Sequence, residues 1–154
     1  MRYLRNDYPR PLLEQLNDVY DDMPPVPPAH VYIVTTKNFE DKENPDFSII
    51  GTHHSLIVAH RQATNLFKSK YLMWFMQSLN FENWAHAGEN LDIEVWARGQ
   101  GDLKAFDHIV KWEVYDQGGL DLEAWRRSKD DPNNIEFLGS VEVGLICAGL
   151  IYGS

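Results

Sequence analysis

The chain has 154 residues, 44% of them hydrophobic and 12% aromatic, with five tryptophans. A chain of this length buries roughly 70% of the surface that its unfolded form exposes, so the composition supports a packed core and excludes a disordered polypeptide. Fourteen Lys and Arg against 23 Asp and Glu give a formal net charge of -9. The densest basic group, Arg126-Arg127 with Lys129, runs straight into Asp130-Asp131, so neither nucleic acid nor an anionic membrane is an expected partner.

One cysteine, Cys147, permits no internal disulfide. The first residues lack the apolar stretch of a signal peptide, and the most apolar run, Val141 to Tyr152, is interrupted by Glu142 and by two glycines, Gly144 and Gly149. It also falls short of the ~18–20 residues of a membrane-spanning helix, which makes a cytoplasmic protein the expectation.

In chain order, Leu12, Leu16 and Val19 recur at helical spacing behind Pro9 and Pro11, predicting a short N-terminal helix. Pro24-Pro25-Val26-Pro27-Pro28 ends it as a stiff extended linker. Residues 1–28 are thus expected to form a helix and linker, and residues 29–154 one α+β domain.

His30 to Thr36 is nearly all β-branched or aromatic and reads as a strand covered on both faces. A charged loop with Pro45 separates it from a second strand, Phe47 to Gly51, and the two are expected to pair antiparallel because no helix lies between them.

From Ser55 to Leu79 the chain has no glycine or proline. Ser55 is placed to cap a helix, and Leu56, Ala59, Ala63, Leu66 and Phe67 form its apolar stripe. A single helix of this length would reach ~36 Å, well beyond the ~15 Å radius expected of the domain, so a break near Ser69 is anticipated.

Leu91 to Arg98 and His108 to Tyr115 alternate as half-exposed strands, with Gly99-Gln100-Gly101-Asp102 as turn material. Leu122 to Lys129 reads as a short helix, and Val141 to Ile151 as a final apolar strand. A terminal strand this apolar lies either at the centre of the sheet or against another chain. The expected architecture is α+β: a mostly antiparallel sheet of about five strands, with one long helix or two on one face and a short N-terminal helix.

Chemical motifs are sparse. There is no G-x-S-x-G, no P-loop, no dinucleotide fingerprint and no zinc-ligand spacing, so no cofactor and no metal are expected. Histidine is the usual general base near neutral pH, which makes His54, His60 and His86 the candidate catalytic residues. Asp107 and His108 are neighbours on a strand and point to opposite faces, which argues against a direct relay between them. Tyr71, Trp74 and Trp84, from an aromatic-rich stretch, are the candidates to line a pocket for a small hydrophobic ligand.

Val31-Tyr32-Ile33-Val34-Thr35-Thr36, then Ile49-Ile50-Gly51, then Ser55-Leu56 with Ala59 and Ala63, is similar to a family of small fungal proteins. Their pattern is strand, acidic loop, strand, glycine, Ser-Leu and an alanine-containing helix, covering residues 30 to 68 here. The resemblance implies that local architecture and brings no catalytic or ligand-binding residues with it.

The first functional expectation is therefore a non-catalytic interaction or regulatory module that self-associates, as a dimer, or meets a protein partner. The alternative is a small cofactor-independent enzyme of the isomerase, cyclase or hydrolase type. It would hold a hydrophobic metabolite in an aromatic pocket and use a histidine as acid or base.

Overall fold

The structure, a computed structural model, describes residues 8, 10–22, 30–72, 92–97, 100–105, 108–115, 117–128, 130–131 and 133–147. It is α+β, with helices packed on one face of an antiparallel sheet. Helix α1 spans Arg10–Asp22, with Pro11 in its first turn, where a missing N–H costs nothing. Strands β1 (His30–Asn38) and β2 (Asp46–His53) follow as an antiparallel pair. Helix α2 spans Leu56–Phe67, and the Ser55 hydroxyl caps it by accepting the Val58 N–H at 3.4 Å. At Lys68 the hydrogen bonding widens into a π-helical turn, Lys68–Leu72, close to the anticipated break. The remainder of the expected long helix lies outside the described residues.

Five more strands complete the sheet: β3 (Asp92–Ala97), β4 (Gln100–Ala105), β5 (His108–Val114), β6 (Leu120–Arg127) and β7 (Ile135–Cys147). All seven form one antiparallel sheet in the order β2-β1-β7-β6-β5-β4-β3. It is wider than the expected five strands for two reasons. Gln100 to Asp102, read as turn residues, pair with β3 on one side and β5 on the other. Leu122 to Arg127, read as helical, is strand: Leu120, Leu122 and Ala124 alternate into the core and override the helix preference of Glu123, Ala124 and the arginines. The apolar final strand starts earlier than expected, at Ile135, and lies between β1 and β6. Its hydrophobicity is therefore accounted for by central burial, without a second chain.

Tyr32 and Val34 of β1, Val110, Trp112 and Val114 of β5, Leu120 and Leu122 of β6, and Val141 and Val143 of β7 turn toward the helices. Leu12, Leu16 and Val19 of α1 and Ala59, Ala63 and Phe67 of α2 meet them there. Helix α1 thus belongs to the same core as the sheet. Strand β1 is covered fully on this face only, with Ile33 and Thr35 half-buried on the other.

A polar brace ties these layers together. His60, on α2, is completely buried. One ring nitrogen, Nε2, lies 2.6 Å from the Gly118 carbonyl, and the other, Nδ1, lies 2.6 Å from the Tyr20 hydroxyl. A carbonyl only accepts, so Nε2 carries the proton and Nδ1 accepts from Tyr20. The ring therefore joins α1, α2 and the β5–β6 turn. Gly118 suits that turn because its φ is +91°, and a Cβ there would sit 2.6 Å from Leu56 Cδ2. Beside it, the Tyr8 hydroxyl donates to the Thr64 carbonyl at 2.5 Å, and the Thr64 hydroxyl donates to the His60 carbonyl at 2.8 Å. Trp112 Nε1 donates to Gln15 Oε1 at 2.9 Å, a further tie between α1 and the sheet.

Burial pushes the His60 imidazole down to about 4 from 6.5, with the Gly118 hydrogen bond opposing the shift. The unfolded chain takes up a proton on this ring below pH 6.5 that the folded chain refuses until about pH 4. Stability present above that window is lost as the pH falls through it, by about 3 kcal/mol. Replacing His60→Leu removes the hydrogen bonds that the ring makes to the Tyr20 hydroxyl and to the buried Gly118 carbonyl. Urea denaturation is expected to show a loss of roughly 2–4 kcal/mol at pH 7.5 and a shallower acid dependence between pH 6.5 and 4 than in the parent chain.

Candidate functional site

The described helices do not cover the whole inner face of the sheet. Past the π-helical turn, at the His108 end of β5 and the Arg126 end of β6, a cleft of about 490 Å³ opens. Its floor is strand: Val110, Ala124 and Leu138 are apolar and buried or nearly so. His108 and Arg126 are directly paired across β5 and β6, and both share the face of Val110 and Ala124. Tyr71 closes one side, with its ring 5.1 Å from that of Phe67, and Lys70 and Glu40 stand at the rim.

Local sequence explains each placement. Asn38 and Asp41 accept backbone N–H bonds from Glu40 and Glu43, at 2.9 and 3.1 Å, which curls the β1–β2 loop and brings Glu40 to the cleft. A bulge between Ala124 and Trp125 leaves Leu138 outside the strict strand alternation, and it lines the cleft instead of facing away. Gly139 lets Tyr71 lie flat on the sheet, because a Cβ there would strike the Tyr71 hydroxyl and come within 2.5 Å of the Lys37 carbonyl.

The electrostatics of the rim are mixed. Arg126 reaches Glu136 at 3.1 Å, and Lys42 reaches the same carboxylate at 3.3 Å. Hydrogen bonds from Arg126 and then Lys42 hold the Glu136 carboxyl below its usual range, so it stays ionised. Burial first, and then the negative charge of Glu40, push the Tyr71 hydroxyl up to about 12. Tyr71 is consequently a neutral hydrogen-bond donor at physiological pH.

The sequence candidates separate here. Tyr71 borders the cleft, whereas His60 is enclosed by its two hydrogen bonds and has no solvent-exposed surface. His54 is exposed in the turn before α2. His86, Trp74 and Trp84 lie outside the described residues. Sequence reading passed over His108 and Arg126 as a pair. The signal for His108 was its parity with Val110, Trp112 and Val114. Arg126 was hidden because its segment was read as helical. Among the described residues, no group of three or more His, Cys, Asp or Glu is arranged to hold a metal ion. No described helix is long and apolar enough to cross a membrane. No protein-family model, curated protein or solved structure matches the chain.

The opposite face of the sheet carries two further features. An aromatic row crosses four strands' width: Trp125 to Phe137 at 5.0 Å between ring centres, Phe137 to Phe39 at 5.3 Å, and Phe39 to Phe47 at 5.4 Å. Lys111 Nζ lies 4.9 Å from the centre of the Trp125 ring. Next to the row, Asp121 faces Glu113 on β5 and Glu142 on β7, with Glu123 on its own strand. Burial chiefly, then the hydrogen bond to Glu123 and the charges of Glu123 and Glu142, raise the Asp121 carboxyl to about 8, while Lys37 offsets part of this.

The folded chain therefore keeps a proton on Asp121 that the unfolded chain releases near pH 4. This contribution to stability is complete below pH 4 and is lost as the pH rises toward 8. Asp121→Asn removes the titration while keeping the shape. Thermal melts followed by circular dichroism are expected to show the variant more stable than the parent at pH 8, with the difference vanishing near pH 4.

Proposed function

We propose that this domain binds a small, mainly apolar molecule in the cleft between Tyr71 and the β5–β6 strand ends, without transforming it. The observation that carries this reading is the concentration of an apolar floor and convergent polar groups in one concavity of about 490 Å³. That combination and size are what small-molecule sites require. The enzymatic alternative would use the same place, with His108 moving a proton, since Tyr71 is held in its neutral form and His60 is sealed in the core.

Leu138→Trp fills the cleft from its half-buried wall. In a fluorimetric thermal-shift screen of apolar small molecules, ligands are expected to raise the melting temperature of the parent chain and to leave that of Leu138→Trp unmoved. Equal shifts in both proteins would place binding elsewhere, and no shift in the parent would remove the reading.

A second reading, self-association as a dimer, is favoured by one observation. Phe47 and Ile49 on β2, at the end of the aromatic row, are 60% and 69% exposed. Contiguous exposed apolar surface of this kind marks interaction sites. The free edge of β2 is a poorer candidate, because the register shift opposite Val34 and Thr35 leaves Ile50 as an extra residue, and such bulges disrupt edge pairing. Sedimentation velocity at tens of micromolar would show a dimer for the parent and a monomer for Ile49→Lys if this face self-associates. A monomeric parent ends that reading.

A further inference from the structure

The lining of the cleft is locally basic in a chain that is strongly acidic. Arg126 and Lys70 stand against one lining carboxylate, Glu40, so the lining keeps an excess of positive charge before His108 is counted; Lys42 and Glu136 lie beside it, both in contact through the Glu136 carboxylate that Arg126 also reaches. The arrangement at Glu136 is informative. One carboxylate is served by two cations, Lys42 at 3.3 Å and Arg126 at 3.1 Å. Lys42 already offsets the Glu136 charge, so the charge of Arg126 is not consumed by its ion pair.

A guanidinium offers five N–H donors in a planar fork, and the Glu136 contact goes through only one of its terminal nitrogens, Nη2. Across the strand pair stands His108, and the neutral Tyr71 hydroxyl adds a donor of its own. Arg126 and His108 thus stand together at one end of a cavity whose floor, Val110, Ala124 and Leu138, is apolar, with the Tyr71 hydroxyl over that floor against Gly139.

We infer that the ligand of this cleft is an apolar carboxylic acid, held with its carboxylate against Arg126 and His108 and its hydrocarbon body on the strand floor. This rests on the binding function proposed above and names the chemical class that the same site selects. A neutral apolar ligand gains nothing from the surplus positive charge at Arg126 and Lys70, whereas a carboxylate takes up charge-assisted hydrogen bonds there. The net charge of -9 sharpens the contrast, because an anion is repelled by the chain as a whole and attracted where cations outnumber carboxylates, as they do here.

The test uses matched pairs on the full chain: 4-phenylbutyrate and decanoate, each beside its primary amide, titrated calorimetrically. Each acid is expected to bind at least tenfold more tightly than its amide, and the preference is expected to shrink as salt is raised from 20 to 300 mM. Arg126→Gln should bring the acid to the level of the amide. Because that substitution also breaks the Glu136 contact, Glu136→Gln serves as its partner: it breaks the same contact, keeps the guanidinium, and should bind the acid as tightly as the parent or more so.

Amides binding as well as acids would overturn the carboxylate assignment while leaving the cleft as an apolar site. Binding of acid retained in Arg126→Gln would overturn the role of the guanidinium and the inference with it. Failure of all four compounds to bind the parent would remove both the inference and the reading beneath it.

Discussion

The imidazole of His60 sits where three parts of the molecule would otherwise slide past one another. Apolar contact between α1, α2 and the β5–β6 turn supplies most of the cohesion, but it is not directional, and it does not dictate which turn of one helix meets which residue of another. Two hydrogen bonds of 2.6 Å, one to Tyr20 and one to the Gly118 carbonyl, impose that register. Gly118 in turn allows the chain to pass directly beneath Leu56 at the start of α2. The β5 and β6 strands leave this pinned turn and run side by side to their far ends, where His108 and Arg126 face each other. The place of the cleft is thus fixed from the opposite end of the strands, by a group that itself never meets solvent.

The two ends of the inner face are consequently specialised. Near Gly118 the helices are close-packed on the sheet and both ring nitrogens of His60 are paired internally. Past Tyr71, among the described residues, the floor remains apolar, and polar side chains come from the β1–β2 loop, the π-helical turn and two strand ends. A π-helical turn alters the direction in which the following side chains project, which is one recurrent way for helices to place residues at functional sites. Here it sets Tyr71 on the glycine of β7 and leaves Lys70 at the rim.

Much of the fold could be read from the residues, because it rests on local pattern. The Ser55 cap, the β1–β2 pair and the stripe of α2 each follow from neighbours within a few positions. Strands β4 and β6 escaped notice for the converse reason. Gln100 to Ala105 and Leu120 to Arg127 carry glycine, Asp, Glu, Lys and Arg, and become strands through partners on both sides that no local window contains. The site was less legible than the fold. The histidine with the most favourable helical setting, His60, turned inward, whereas the one at the cleft, His108, matters through its cross-strand neighbour Arg126. That pairing depends on register, and register is a property of the assembled sheet.

The position of β7 has a kinetic side. It is the last strand described, yet it lies between β1 and β6, and the bridge from Lys37 to Glu142 joins residues 105 positions apart. During synthesis, the β1–β2 pair and the β3 to β6 meander emerge with the edges that β7 will cover still open. Neither can join the other until that central strand has been made. Contacts of such separation slow folding, and open apolar edges are where nascent chains associate wrongly. The same placement that buries the most apolar strand therefore leaves the sheet divided in two until β7 has been made, and the interval before closure is when the chain depends most on its acidic surface to stay apart from its neighbours.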